Sequence, residues 1–569
     1  MLRSSSLVST RLHRALTVAA LVGATVLMVP HGAYASDIWA NTATQATPIP
    51  SGIVTVPLNI SQSMHIVVGL APHNKAQLDT LVAAISTPGN AQFGQVITPQ
   101  QFLATYAPTA TDVSAVENYL SSLGFTNITV SGNNLAVSAD GSAQVVESAF
   151  NTKLVSFNLG GRHVFANTQP AQVPLSLASI VSVVVGLQNV GVMGTQLALP
   201  QNPLTTPAYS GPQFQTAYDA GGTPAGSNTT IGIVTEGDIT QVPLDLRQYE
   251  QEFNLPQVPY QVVPVGLQTT DTSGLDEWDL DSQSSSGMAG NLQKIVFYNA
   301  GSLADAALIP AFERIVGDNQ VKAVNMSFGG CESLEYLSGA MLMEDLAFEQ
   351  GAAEGITFFA ASGDGGASCQ VLANAGEPVV LSAVEYPAAS EYVVAVGGTS
   401  LLTNAGYTYN SEIAWISGGG GNSLWESPGP WTNGVIPPTG STCGLRGVPD
   451  IAMDADPNIA PADVVVNGQD IGVGGTSLAS PLAVGSWARM ETAHNNCEGF
   501  AAPILYTTFG QPFGTAAVDF HDIVLGDNFL YAATPGWDFT TGLGSFDISA
   551  INAALPTPVC AATTTSKKK

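Results

Sequence analysis

One serine carries the sharpest chemical signal in the chain. The run Gly474-Gly475-Thr476-Ser477-Leu478-Ala479-Ser480-Pro481 places Ser477 behind two glycines and ahead of a predicted helix that runs from Leu478 toward Ala493. Glycine lets a backbone approach a ligand closely, and the free N–H groups at a helix start favour negative charge. The pattern suits a nucleophilic hydroxyl, and it also fits a glycine-rich turn with an N-capping serine. A hydroxyl nucleophile needs a base. The first arrangement to test is an Asp, His, Ser triad, with Asp238 as its acid. The seven histidines are residues 13, 31, 65, 73, 163, 494 and 521, so none lies between His163 and Ser477. His494 and His521 both follow the serine, so that order lacks its imidazole, and a carboxylate can serve instead if its pKa suits the working pH.

Carboxylates are the remaining candidates. In Asp276-Glu277-Trp278-Asp279-Leu280-Asp281, a helix would set Glu277 and Asp281 four residues apart on one face. Two carboxyls that close resist double ionisation and can share a proton. Glu277 would then contact Ser477, with Asp281 supporting Glu277. Taken alone, the stretch also reads as a solvated acidic helix start. The third group is Asp364 in Ala361-Ser362-Gly363-Asp364-Gly365-Gly366, directly after a predicted strand at 356–361. A protonated Asp364 could donate a hydrogen bond to the oxyanion of a tetrahedral intermediate, a state natural to low pH.

These groups need a scaffold. From about residue 229, strands predicted at 230–235, 295–298, 322–328, 356–361 and 392–396 alternate with helices at 303–316 and 337–353. Repeated βαβ units specify an α/β domain with a mostly parallel sheet and flanking helices. Its active site lies outside the carboxyl ends of the strands. Upstream, strands at 64–70, 134–137 and 154–158 and helices at 74–86 and 112–123 make an α+β pattern sized for a separate domain. Between the two, residues 195–212 carry four prolines and read as a linker open to proteolytic nicking.

With these residues in view, the chain resembles the sedolisins, the serine-carboxyl peptidases that include kumamolisin-like enzymes and a lysosomal tripeptidyl-peptidase. The Glu-x-x-x-Asp pair stands at Glu277 and Asp281, the GTS-x-x-x-P motif at Gly475–Pro481, and the S-G-D loop at Asp364. Residues 324–329, 418–422 and 446–457 resemble further family segments, and 67–74 and 102–108 resemble the family's activation domain. The resemblance implies a subtilisin-like catalytic domain behind a pro-domain that covers the active site and is removed at acidic pH. The implied division is a signal peptide at 1–35, a pro-domain at 36–194, a linker with the processing site at 195–212, a catalytic domain at 213–560 and a tail at 561–569. It also implies one structural calcium ion, held by carboxylates of Asp522 and Asp538 and main-chain carbonyls of Ile523, Thr534 and Gly536. Oxygen donors of this kind suit calcium, although the same segments alone would read as Asp/Gly turns. Val524-Leu525-Gly526 departs from the family's commoner polar run. The implied activity is acid endopeptidase action on proteins or peptides, with a tripeptidyl exopeptidase or an inactive secreted binding protein as alternatives. The pro-domain would be an intramolecular inhibitor, and the enzyme a monomer.

Composition agrees with such a role. Among 569 residues, Lys and Arg number 15 against 44 Asp and Glu, a formal charge of −29 at pH 7. So few cations exclude a nucleic-acid partner, and protonation in acid would relieve the self-repulsion. A basic stretch from Arg3 to Arg14, an apolar run from Ala15 to Val29 and Ala33-Tyr34-Ala35 form a secretion signal with its cut after Ala35. No later segment is apolar enough to cross a bilayer, so an extracellular location is expected. The five cysteines all lie beyond residue 330. In an oxidising compartment they allow one or two disulfides with a thiol left over, or buried free thiols.

Overall fold

The computed structural model describes residues 38–201, 207–373, 377–381, 383–436 and 444–558. The expected signal, the tail, Cys443 and Cys560 lie outside the described residues. No helix among the described residues is long and apolar enough to cross a membrane.

The N-terminal region is built on a four-stranded antiparallel sheet. Its strands are β1 (Ser63–Leu70), β2 (Thr126–Val130), β3 (Ala136–Ser142) and β4 (Val181–Val185), in the order β2-β3-β1-β4. Its longer helices are α1 (Lys75–Ser86) and α2 (Ala110–Ser122). Side chains alternate across a strand, and from Ile66 onward both faces of β1 are buried. Met64, Ile66, Val68 and Leu70 of β1 enter the region's own core. Val67 points the other way, with Val183 and Val185, into the large core of the C-terminal region. A Cβ at Gly69 would lie 2.1 Å from the sulfur of Met343.

A two-residue strand, β5 (Gly194–Thr195), leads out of this region. The C-terminal region follows, with strands β6 (Thr230–Glu236), β7 (Tyr260–Pro264), β8 (Lys294–Ala300), β9 (Ala323–Met326), β10 (Phe328–Cys331), β11 (Thr357–Ala361), β12 (Val393–Thr403), β13 (Tyr409–Ala414) and β14 (Ile451–Asp454). The central sheet runs β7-β8-β6-β9-β11-β12-β13, with β14 also paired to β12. All its pairings are parallel except β12 with β13. The principal helices are α3 (Leu275–Ala289), α4 (Asp305–Asp318), α5 (Ala340–Glu354) and α6 (Thr476–Ala493). The mostly parallel sheet expected from the βαβ pattern is present.

Two predicted elements are each broken in two. The strand expected at 322–328 stops at Met326 and resumes as β10, which leaves the central sheet to pair antiparallel with β5. The helix expected at 337–353 divides at Gly339, whose φ of 81° ends one helix at Ser338 before α5 begins. A left-handed residue of this kind costs glycine little. Cys331, at the end of β10, forms a disulfide with Cys369.

Candidate active site

The acidic run is no solvated helix start. Every residue of α3 from Glu277 to Ala289 is buried. Its serines, glycine and alanine allow α6 to pack closely: a Cβ added at Gly485 would lie 2.6 Å from the Ser285 carbonyl and 2.7 Å from Met288 Cβ. Ser282, next to Asp281, is fully buried, with its hydroxyl on the Asp279 carbonyl at 3.2 Å. The close contact of α3 and α6 sets the two carboxyls beside Ser477.

Ser477 lies in the first turn of α6, after Gly475 at φ 100°. A Cβ at Gly475 would meet the Gln196 carbonyl at 2.1 Å and Asp364 Oδ2 at 2.6 Å, so only glycine fits. The Ser477 hydroxyl points to the Ser327 carbonyl at 3.3 Å. Four residues on, Pro481 lacks the N–H that would bond the Ser477 carbonyl; the Ser327 hydroxyl lies 3.3 Å from that oxygen. Ser327 occupies the break between β9 and β10, which turns both its hydroxyl and its carbonyl to the site.

The four sequence-predicted residues converge. Burial raises the pKa of Glu277 well above the ordinary carboxyl value, and the charge of Asp281 adds to this, while Ser477 opposes it. Neither Glu277 oxygen meets hydrogen-bonding geometry. We take Ser477 as a near neighbour whose hydroxyl is rotated toward Ser327. Asp281 is also raised by burial, but is relieved by the Ser327 hydroxyl, which donates to Oδ1 at 2.5 Å, and by the nearby Asn325 amide. Asn325 also donates to the Ser327 hydroxyl at 2.9 Å and accepts from Ser480 at 2.7 Å. Asp281 is thus the better-supported anion of the pair, and Glu277 the natural holder of a shared proton.

Asp364 stands where β11 ends, as expected for the S-G-D loop. Its Oδ1 accepts from the Thr476 backbone at 2.8 Å and hydroxyl at 2.9 Å, while Oδ2 has no partner. Burial pushes its pKa up to about 7, against those two bonds.

The cleft is filled by the chain itself. β5 lies antiparallel to β10, with Gly194 opposite Gly329 and Thr195 opposite Phe328. Gln196 N–H donates to the Ser327 carbonyl at 3.2 Å, and Ser477 N–H donates to the Gln196 carbonyl at 3.2 Å. Beyond it, Ala198 and Gly474 exchange two backbone hydrogen bonds of 2.9 Å. Leu197, Ala198 and Leu199 then line a cavity of about 460 Å³ together with Asp364, Trp415 and Pro457. Residues Ser327, Asn325 and Gln196 were not singled out from the sequence. The Ser327-Phe328 pair after Met326 is the available signal, but its pattern is that of uninterrupted strand.

The residues implied for calcium gather on one loop. Asp522 accepts from Gly536 N–H at 3.0 Å, and Asp538 Oδ2 accepts from Thr534 N–H at 2.8 Å. Asp538 Oδ1 caps Thr540 and Thr541 through both backbone and hydroxyl groups. Burial raises both carboxyls, and Asp538's charge raises Asp522 further. Neither has a cationic partner among the described residues. The described residues hold no cluster of three or more His, Cys, Asp or Glu fit for a metal, so a cation here would depend on main-chain carbonyls as well. These two carboxyls have no cation beside them among the described residues, but their hydrogen-bonded oxygens are the donor type a hard cation takes together with such carbonyls.

Comparison with known proteins agrees with this architecture. The pro-kumamolisin activation domain matches residues 53–190, and the subtilase family matches residues 269–505. Sedolisin of Pseudomonas sp. (strain 101) is 39% identical over 555 residues, covering 91% of this chain and 92% of its own. Xanthomonalisin of Xanthomonas sp. (strain T-22) is 35% identical over 628 residues, covering 95% of this chain and 74% of its own. The solved structure of Pseudomonas sedolisin, a serine-carboxyl proteinase complexed with two molecules of pseudo-iodotyrostatin, superposes with a TM-score of 0.55 at 36% identity, over 61% of this chain and 98% of that one. A subtilisin-like domain that lacks a triad histidine and carries a buried Glu-x-x-x-Asp pair behind an activation domain is a serine-type peptidase zymogen, and the chain belongs to the sedolisin family.

Proposed function

We propose that the protein is a secreted, acid-acting serine-carboxyl endopeptidase that cuts peptide bonds through an acyl-enzyme on Ser477. The observation that carries this reading is the Gln196 carbonyl at the Ser477 N–H, with chain running on through the cleft on both sides. Glu277 takes the Ser477 proton as its own passes to Asp281. The serine oxygen bonds to the carbonyl carbon, and the carbonyl oxygen becomes an anion. Ser477 N–H and protonated Asp364 Oδ2 stabilise it. Collapse breaks the C–N bond, and the departing amine takes the proton from Glu277. Water then releases the acyl group by the reverse route.

Before the cut, the N-terminal region acts as an intramolecular inhibitor, because its continuation occupies the cleft. A structural calcium ion is held by Asp522 and Asp538 with carbonyls of Ile523, Thr534 and Gly536, and supplies charge compensation to that loop. The enzyme works as a monomer outside the cell, on protein or peptide substrates.

Digestion of a long peptide by the acid-treated protein tests the reading. Internal fragments that vanish in Ser477→Ala are expected. Release of N-terminal tripeptides alone would replace the endopeptidase assignment with an exopeptidase one, and cleavage that persists in Ser477→Ala would overturn the nucleophile.

A further inference from the structure

One buried acid near the cleft has no part in the chemistry above. Glu385 opens a two-residue strand, Glu385–Tyr386, which pairs with the end of β10 so that Glu385 faces Cys331 in register. Its side chain reaches back to the cleft. A Cβ at Gly329 would lie 2.7 Å from Glu385 Oε2, and one at Gly363 would lie 2.9 Å from Glu385 Cδ. Two side-chainless walls therefore make room for this carboxyl beside the residue that precedes the bond held at Ser477.

That residue is Gln196, and its amide is read at both ends. Gln196 Nε2 donates to Glu385 Oε2 at 2.7 Å, while Gln196 Oε1 accepts from the Asp364 backbone N–H at 3.1 Å. Its backbone is held as a substrate's would be, between the Ser327 carbonyl and the Ser477 N–H. Burial, helped by the charge of Asp364, pushes Glu385 up to about 8, so in acid the pocket presents an uncharged carboxyl and a backbone donor. An amide head satisfies both, whereas an aliphatic side chain leaves both unpaired, a mismatch that buried polar groups penalise strongly.

Building on the peptidase reading, we propose that Glu385 is a specificity-determining residue that selects a glutamine-like amide on the acyl side of the cut, and that Gln196–Leu197 is therefore the first bond the chain cleaves in itself. No group beyond those of the proposed acyl transfer is needed: the Gln196 carbonyl forms the ester with Ser477, the Leu197 nitrogen leaves with a proton, and water restores the serine.

The test uses the full chain, acidified, with two readouts. Intact mass and N-terminal sequencing at the earliest time points should show a fragment beginning at Leu197, and Gln196→Leu should slow that first cut at least about tenfold. Matched peptides carrying Gln or Leu before the cut bond should give a kcat/KM ratio of at least about ten in favour of Gln, lost in Glu385→Leu. Glu385→Gln, which keeps the volume and one acceptor, should retain part of the preference and serves if the leucine variant does not fold. A first cut elsewhere, or a Gln-to-Leu ratio unchanged in both Glu385 variants, overturns this inference while the peptidase reading stands. A protein that cuts neither itself nor any peptide overturns both.

Discussion

The backbone N–H of Ser477 donates to the carbonyl oxygen of Gln196 at 3.2 Å. The unpartnered Oδ2 of Asp364 faces the same place, since both oxygens crowd the position a Gly475 side chain would take. A peptide carbonyl thus sits between two groups suited to hold it as an anion, and the roles proposed for the surrounding acids can be tested one at a time.

Ser477→Ala should leave the zymogen uncut in acid, with peptide hydrolysis down by about 10⁴-fold or more. Gel analysis of the acidified full chain and a fluorogenic peptide assay measure it. Glu277→Gln, which keeps shape but cannot accept the proton, should lose about 10³-fold in kcat. Asp281→Asn should follow it in direction, and the double variant should cost little more than either alone, because the pair acts as a unit.

The alkaline limb of the pH profile should belong to Asp364. With its pKa pushed up to about 7 by burial, the carboxyl is protonated and able to donate below that value, and loses its proton above it. Activity should fall as pH rises through about 7. Asp364→Asn keeps a donor at all pH values and should move that limb upward, while Asp364→Ala should lose about 10² to 10³-fold throughout. A kcat profile of the three proteins decides the matter.

Stability should also favour acid. Burial pushes Asp279 up to about 9 and both Glu313 and Glu354 up to about 8, from ordinary values of 3.8 and 4.5. The folded chain keeps these protons at pH values where the unfolded chain has released them. Their contribution is whole below about pH 4 and is lost as pH rises toward 8 to 9. The melting temperature of uncut Ser477→Ala should be highest in acid and decline toward neutrality. The opposite slope in a thermal-shift series would refute the sign.

Calcium is testable without any activity. In Ser477→Ala, added calcium at a hundredfold over its dissociation constant should stabilise by about 2.7 kcal/mol, and a chelator should reverse the gain. Asp538→Asn should remove the response. A melting curve indifferent to calcium in the parent protein would remove the ion from the proposal.

The residues of the candidate site were legible because they stand in short motifs with a definite spacing. A serine in its glycine-rich motif, no histidine in the interval that needed one, and acids at helical spacing pointed to Glu277, Asp281, Asp364 and Ser477, which the fold brings together. The burial of α3 was not legible, because a helix so rich in Asp, Glu, Ser and Gln has no apolar stripe to announce a dry environment; packing against α6, the helices at Gly211–Ala217 and Val242–Glu252 and the strand Ala462–Val466 creates one. Ser327 was hidden for a different reason. Its value lies in a break of strand pairing, and hydrophobic alternation runs through that break without a mark. Gln196 and Glu385 stand 189 residues apart, and no local pattern joins them.

The double-faced sheet of the N-terminal region has a last consequence. Val67, Val183 and Val185 share a core with residues of α5. Asn133 bonds both Glu313 and, at 2.7 Å, Gln350, and Lys75 pairs with Glu349 at 3.0 Å. Severing one peptide bond in the cleft disturbs none of these contacts. It changes their bookkeeping: two parts of one molecule become two molecules, and a tether that set a high effective concentration is gone. From that moment dilution opposes the association, and the fully open enzyme should emerge with a lag that shortens as the sample is thinned.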